Sequence, residues 1–261
     1  MKRKPLFYGL FALAAFVLSL VIQLPAEQVC PRLAKIYPLP VKLYQLSGSV
    51  WHGRAGLVLI KGRRLQEVRW QFHPLALLLG RLESSIEAHR GDSGVLRAVV
   101  GRALSGELYL HRLSLRIPLA EADALVNSSP LGLSGRLQID LQHLEITNRH
   151  LVAAKGLIRV DDVGLGAPMN SRIGSFSLHL SDSTEGIKGV LGDQGGPLQL
   201  KGLLQLKRDG RYKLTATLTL RDASRTDLQR ALRYFGNPGP DGKLSILRSG
   251  KIDLTTLAGI L

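Results

Sequence analysis

Between residues 211 and 221, Tyr212, Leu214, Ala216, Leu218 and Leu220 alternate without a break with Arg211, Lys213, Thr215, Thr217, Thr219 and Arg221. A period of two sorts side chains onto the two faces of a β-strand, and a helix cannot separate them that way. The pattern recurs along the chain. Val68, Trp70 and Phe72 interleave with Glu67, Arg69, Gln71 and His73. Leu137, Ile139 and Leu141 interleave with Arg136, Gln138, Asp140 and Gln142, and Phe176, Leu178 and Leu180 with Ser175, Ser177, His179 and Ser181. Strands apolar on one face must cover it with a second sheet, short helices or a ligand. The sequence therefore predicts a mainly β protein, rich in antiparallel sheet, with a few short helices. Asp209-Gly210, placed after Leu204 and Leu206, supplies the positive φ of a two-residue hairpin loop, so 204–221 is predicted to be an antiparallel hairpin.

Helical signals are few. Pro74 ahead of Leu75, Leu77, Leu78 and Leu79 predicts one or two turns with proline in first position. Longer helices are predicted over 118–126 and 226–235, the second capped by Ser224 or Thr226 and closed by Gly236 before Pro238. Each of these two follows a strand and precedes a Gly-x-x-Gly-[Arg/Lys]-Leu-x-Ile segment, from Gly132 to Ile139 and from Gly239 to Ile246. That repeat predicts two duplicated β-rich halves, 44–150 and 151–261.

The chain begins with the basic residues Lys2, Arg3 and Lys4, and 5–26 then carries no charge. The dense stretch supplies Leu6, Phe7, Leu10, Phe11, Leu13, Phe16, Val17, Leu18, Leu20, Val21, Ile22 and Leu24. At about 1.5 Å per residue, a helix of that length crosses a hydrocarbon core of about 30 Å. A cleaved signal peptide is the competing reading, but its apolar region is shorter, and Leu24-Pro25-Ala26 makes a poor cleavage site. The expectation is a tail at 1–4 on the cytoplasmic side, a single-pass signal anchor at 5–25, a linker at 26–43 and the β-rich domain outside. Val29 directly before Cys30 does not fit a lipidation box, and as the sole cysteine Cys30 forms no intrachain disulfide.

Lysine and arginine outnumber aspartate and glutamate by 35 to 20, for a net charge of +15. Motifs with aromatic interleaving, which nucleic-acid binding would need, are missing from the sequence. Phospholipid and lipopolysaccharide head groups are the nearer polyanionic partners. Catalytic and metal signals are equally sparse. The seven histidines (His52, His73, His89, His111, His143, His150 and His179) have no spacing that clamps a metal on one helix or turn, and most fall at solvent-facing strand positions. Asp161 and Asp162 point to opposite faces and mark a turn before Gly164. Ser47-Gly48-Ser49 lacks the elbow context of a hydrolase nucleophile. Gly192-Asp193-Gln194-Gly195-Gly196 lacks the ending of a phosphate loop and reads as an exposed connection between strands. The expectation is a protein with no catalytic residue, no metal and no cofactor.

The order of these features resembles a known family. A basic tail, an anchor ending Leu24-Pro25-Ala26, then Gly48-Ser49-Val50-Trp51-His52-Gly53 and Trp70-x-x-x-Pro74-x-x-Leu77-Leu78-x-Gly80-Arg81-Leu82 are similar to the N component of the bacterial type II secretion system. So are Gly202-x-Leu204-x-Leu206, Gly210-x-Tyr212 and the run from Leu232 through Gly236 and Pro238 to Gly242. The resemblance implies a single-pass inner-membrane protein of Gram-negative bacteria. Its periplasmic domain would work with other secretion subunits in exporting folded proteins across the outer membrane, and the family has no catalytic residues to transfer. The glycine-punctuated strands also resemble the larger AsmA-like group of envelope proteins, which implies lipid binding or transfer as the alternative. On the residues themselves, Trp51 and Trp70 are expected on adjacent strands as structural anchors, with Gly48 and Gly53 permitting a bulge or a close backbone approach.

Overall fold

The computed structural model describes residues 16, 19, 23–36, 41–60, 63–90, 94–126, 132–147, 150–166, 170–222 and 224–251. Helix α1 (Ala26–Ile36) precedes the strands β1 (Val41–Gly48), β2 (His52–Ile60) and β3 (Arg63–Phe72). A one-turn helix α2 (Pro74–Leu77) leads into β4 (Arg81–Arg90), β5 (Gly94–Ala103) and β6 (Leu108–Pro118), then α3 (Leu119–Val126) and β7 (Ser134–Thr147). The chain continues through β8 (His150–Leu165), β9 (Ser171–Ser183), β10 (Gly186–Asp193), β11 (Leu198–Lys207), β12 (Arg211–Leu220), α4 (Thr226–Phe235) and β13 (Lys243–Lys251).

The 13 strands among the described residues pair with their sequence neighbours, antiparallel, in one sheet running in order from β1 to β13. The predicted hairpin over 204–221 is present as the end of β11 and the whole of β12, paired Leu206 to Tyr212. Its loop is three residues, 208–210, instead of the expected two, because the turn closes on Lys207 and Gly210 adds a residue with positive φ. The helix expected over 118–126 starts one residue later, and that over 226–235 has the expected bounds. α1 lies inside the stretch 26–43 read as a linker, so that stretch is helical from residue 26 to residue 36. Of the expected anchor residues, Leu6, Phe7, Leu10, Phe11, Leu13, Val17, Leu18, Leu20, Val21 and Ile22 lie outside the described residues, while Phe16 and Leu24 are described and exposed. Among the described residues no helix is long and apolar enough to cross a membrane.

Register converts the alternation into two faces. Ala88, Leu96, Leu115, Ile139, Ile158, Leu178, Leu191, Gly202, Ala216 and Ile246 are successive cross-strand partners from β4 to β13. One position along, Arg116, Gln138, Arg159, Ser177, Gly192, Lys201, Thr217 and Ser245 form the matching polar row on the other face. Neighbouring rows on opposite faces are what a pleated sheet makes of a period-two sequence.

The described strands contain no second sheet to cover the apolar row. Two clusters bury other apolar side chains from β8 to β13. Ala154, Ile187 and Leu206 pack with Leu151, Leu180 and Tyr212. Leu198 and Leu244 pack with Ile173, Phe176, Leu218, Leu220 and Ile246. Leu228 of α4 is fully buried, and the hydroxyl of Ser171 on β9 donates to Asp227 at 3.2 Å.

Three non-glycine residues with positive φ, Glu67, Arg112 and Asp162, sit where the register shifts between neighbouring strands. Such bulges add local twist and bend the strand, at a cost of order 1–3 kcal/mol for each left-handed residue. Two expectations are corrected here. Asp161 and Asp162 do not mark a turn; β8 continues through them as a bulge, because its partners on β7 and β9 extend beyond them. Trp51 is not on a strand; it lies in the β1–β2 turn, since Gly48 pairs with Gly53 and closes the hairpin around it.

Candidate interaction surfaces

From β1 to β6 the polar face carries a row of direct cross-strand partners: Ser47, Arg54, Arg69, Glu87, Arg97 and Ser114. They line an open trough of about 910 Å³, to which the bulge residue Arg112 also contributes. Arg54 Nε donates to Ser47 Oγ at 3.2 Å, Arg97 Nε to Glu87 Oε1 at 2.8 Å, and Ser114 Oγ to Asp140 Oδ1 at 2.9 Å. The hydrogen bond from Arg97 holds the Glu87 carboxyl below its ordinary value. Four guanidiniums thus surround one lining carboxylate, and Arg54 lies directly opposite Arg69, a like-charge pairing that costs stability in a sheet. An anionic group seated among planar guanidinium forks relieves that repulsion and gains charge-assisted hydrogen bonds. No sequence spacing marks these arginines, because the sheet register alone brings them together from four strands.

Beside the trough, the motif residues form a knot. The Trp70 indole donates to the Val50 carbonyl at 2.9 Å, and the Phe72 amide donates to the Trp51 carbonyl at 2.7 Å. The Trp51 and Phe72 rings meet at 5.0 Å. A Cβ on Gly53 would stand 2.3 Å from Trp70 Cζ2, so only glycine lets the indole lie across β2. The chain entering from residue 24 docks on this knot: the Val50 amide donates to the Leu24 carbonyl at 3.0 Å and Pro25 bridges to Ser49.

The other motif residues are dispersed. Pro74 opens α2, and Leu78 is exposed in the turn after it. Gly202 faces Ala216, while Gly210 takes φ +83 in the β11–β12 turn and Tyr212 packs on the nearby cluster. Gly236 and Pro238 follow α4, and Gly242 turns the chain into β13.

Of the histidines, most of them expected to face solvent, His52 and His179 are exposed and the other five are half-buried. His111 and His143 are cross-strand partners on β6 and β7, with Nδ1 atoms 3.2 Å apart and rings stacked at 4.9 Å. Burial first, then the neighbouring His143, holds His111 below the usual histidine range. His73 is hydrogen-bonded to Ser85 Oγ at 2.7 Å. These residues are 32 and 12 positions apart in sequence, so antiparallel pairing creates contacts that spacing arguments miss. Among the described residues no three histidine, cysteine, aspartate or glutamate side chains gather as a metal site. Cys30 is a free thiol in α1, raised above its ordinary value by burial.

Comparison with known proteins bears directly on these motifs. A family model described as "Type II secretion system (T2SS), protein N" matches residues 40–247. A "Type II secretion system protein N" of Vibrio cholerae serotype O1 is 28% identical over 253 residues, covering 94% of this chain and 98% of that protein. Another of the same name from Aeromonas hydrophila is 24% identical over 261 residues, covering 97% and 100%. No solved structure matches the chain. With the match reaching from the first strand of the sheet into the last, the chain belongs to the type II secretion system protein N family.

Proposed function

We propose that this type II secretion subunit is noncatalytic and works from the inner membrane, tethered by 5–25. In this reading its β-rich domain stands in the periplasm and supports export of folded proteins across the outer membrane. The observation that carries the reading is the family match over 40–247, preceded by a charge-free stretch that ends where the chain docks on the β1–β2 turn. The docking matters because it ties the position of the domain to the end of the tether.

The domain is built as two halves, 44–150 and 151–261. The strand, helix, strand units β6–α3–β7 and β12–α4–β13 support this duplication. The arginine trough, with its unbalanced charge, is a contact for an acidic surface of another secretion subunit or for anionic head groups of phospholipid or lipopolysaccharide. Lipid handling of the AsmA-like kind is the less favoured role, since both relatives carry the secretion name.

The test is deletion of the gene in its host, with a known type II substrate assayed in the medium. The substrate is expected to remain in the periplasm and to be released again on complementation. Undiminished export, with no secretion subunit recovered after membrane crosslinking, overturns the reading.

A further inference from the structure

The antiparallel order places the β1–β2, β3–β4 and β5–β6 turns on one rim of the sheet, the rim where the chain arrives from residue 24. Two of these turns present leucines to solvent. Leu75, Leu78 and Leu79 are 75%, 83% and 75% exposed, and Leu104, in the β5–β6 turn, is 86% exposed. The turns adjoin each other: the Leu104 amide donates to the Gly80 carbonyl at 3.0 Å. Leu82, also exposed, follows in the first residues of β4, where its cross-strand partner is Arg102, and Arg81 lays its guanidinium over the Tyr109 ring at 5.7 Å.

An isolated exposed leucine needs no explanation, but four on two touching turns, with Leu82 just inside β4, make an apolar tip. We propose that this tip inserts into the lipid bilayer, with Arg81 and Arg102 reaching back to the lipid phosphates. The inference rests on the tether reading of 5–25, because it is the tether that brings this rim to the membrane.

Three observations select a bilayer over a protein partner. The charge-free stretch ends on this rim, so the tip and the tether meet the same surface. The leucines project from turn tips at one edge of the sheet, the placement that lets a few apolar side chains enter a flat lipid surface. Arginines stand directly beside them, the arrangement in which long cationic side chains snorkel from an apolar layer to anionic head groups.

The experiment uses the full chain with Cys30→Ser, carrying a single environment-sensitive fluorophore attached through Leu78→Cys, Leu104→Cys or, on the opposite rim, Gln194→Cys. Each protein is reconstituted into vesicles of phosphatidylcholine with phosphatidylglycerol, and quenching is measured with nitroxide-bearing lipid and with aqueous iodide. Lipid quenching at 78 and 104 is expected to exceed that at 194 by about threefold, with the order reversed for iodide. Labels at 78 and 104 that are as open to iodide as the label at 194, in a chain that floats with the vesicles, overturn the insertion and leave the tether reading intact. A chain that fails to float overturns both. Protection of position 78 in native membranes but not in vesicles overturns the bilayer as occupant and assigns the tip to a protein.

Discussion

The two sides of the sheet use their apolar residues in opposite ways. From β8 to β13 leucines and isoleucines form both buried clusters, though Leu247 is exposed, and Asp193 is pinned by Arg221 at 2.6 Å and by the amides of Gly195 and Leu200. From β1 to β6 the polar face gathers arginines with one lining carboxylate, and the turns push leucines into solvent. A chain that stabilises itself on one side can leave unbalanced charge and bare apolar surface on the other. Such surfaces raise the free energy of the isolated protein and are relieved by whatever they touch. Both sides carry buried residues, Phe72 and Ile117 among them on the N-terminal side, so the difference lies in what each leaves exposed.

The sharpest way to break this comparison is to truncate the core. Ile187→Ala, at a site 2% exposed, is expected to lower the unfolding free energy of the full chain in detergent by about 3 kcal/mol, read by urea titration. A loss below about 1 kcal/mol would mean that the cluster does not carry the stability of this side. Gly53→Ala examines the other side. Its added carbon must displace the Trp70 indole, so a loss of about 1–3 kcal/mol is expected, together with a shift in tryptophan fluorescence.

Asp193→Asn comes next, with an expected loss of about 1 kcal/mol at neutral pH, since the partly exposed Arg221 keeps part of its solvation. Arg221 and the two amides outweigh burial and hold the Asp193 carboxyl below its ordinary value. The stabilisation is therefore fully present above about pH 4 and is lost as pH falls through the lowered folded-state value, so the gap between Asp193→Asn and the parent should close in acid. A gap that stays constant down to about pH 2 would remove Asp193 from the account. The smallest effect belongs to the rim: Leu78→Ala, at a site 83% exposed, should change stability by no more than about 0.5 kcal/mol. A loss matching that of Ile187→Ala would show that the tip is core after all and erase the contrast.

Strands with uninterrupted alternation are legible in the sequence alone, as are the hairpin turn at Gly210 and the helix over 226–235, because strand period, turn residues and helix-ending residues are all local. Pro74 was readable as a helix start, but the exposure of Leu75, Leu78 and Leu79 was not, since an apolar run looks alike whether it is buried or bare. The arginine trough and the His111–His143 stack were hidden for another reason. Their members are separated by whole strands, and the bulges at Glu67 and Arg112 adjust the register that brings them together. Bulges at non-glycine residues leave no dependable mark in a single sequence.

By itself the sequence determined that the chain makes amphipathic strands joined by short turns and preceded by a charge-free stretch, because period, turn residues and charge act over a few positions. Only the tertiary structure decided that 13 strands share one sheet, which arginines face one another, and that the leucine-bearing turns stand on the rim where the chain enters. Those outcomes depend on pairing between distant segments, and a shift of one residue in register would send every one of these side chains to the opposite face.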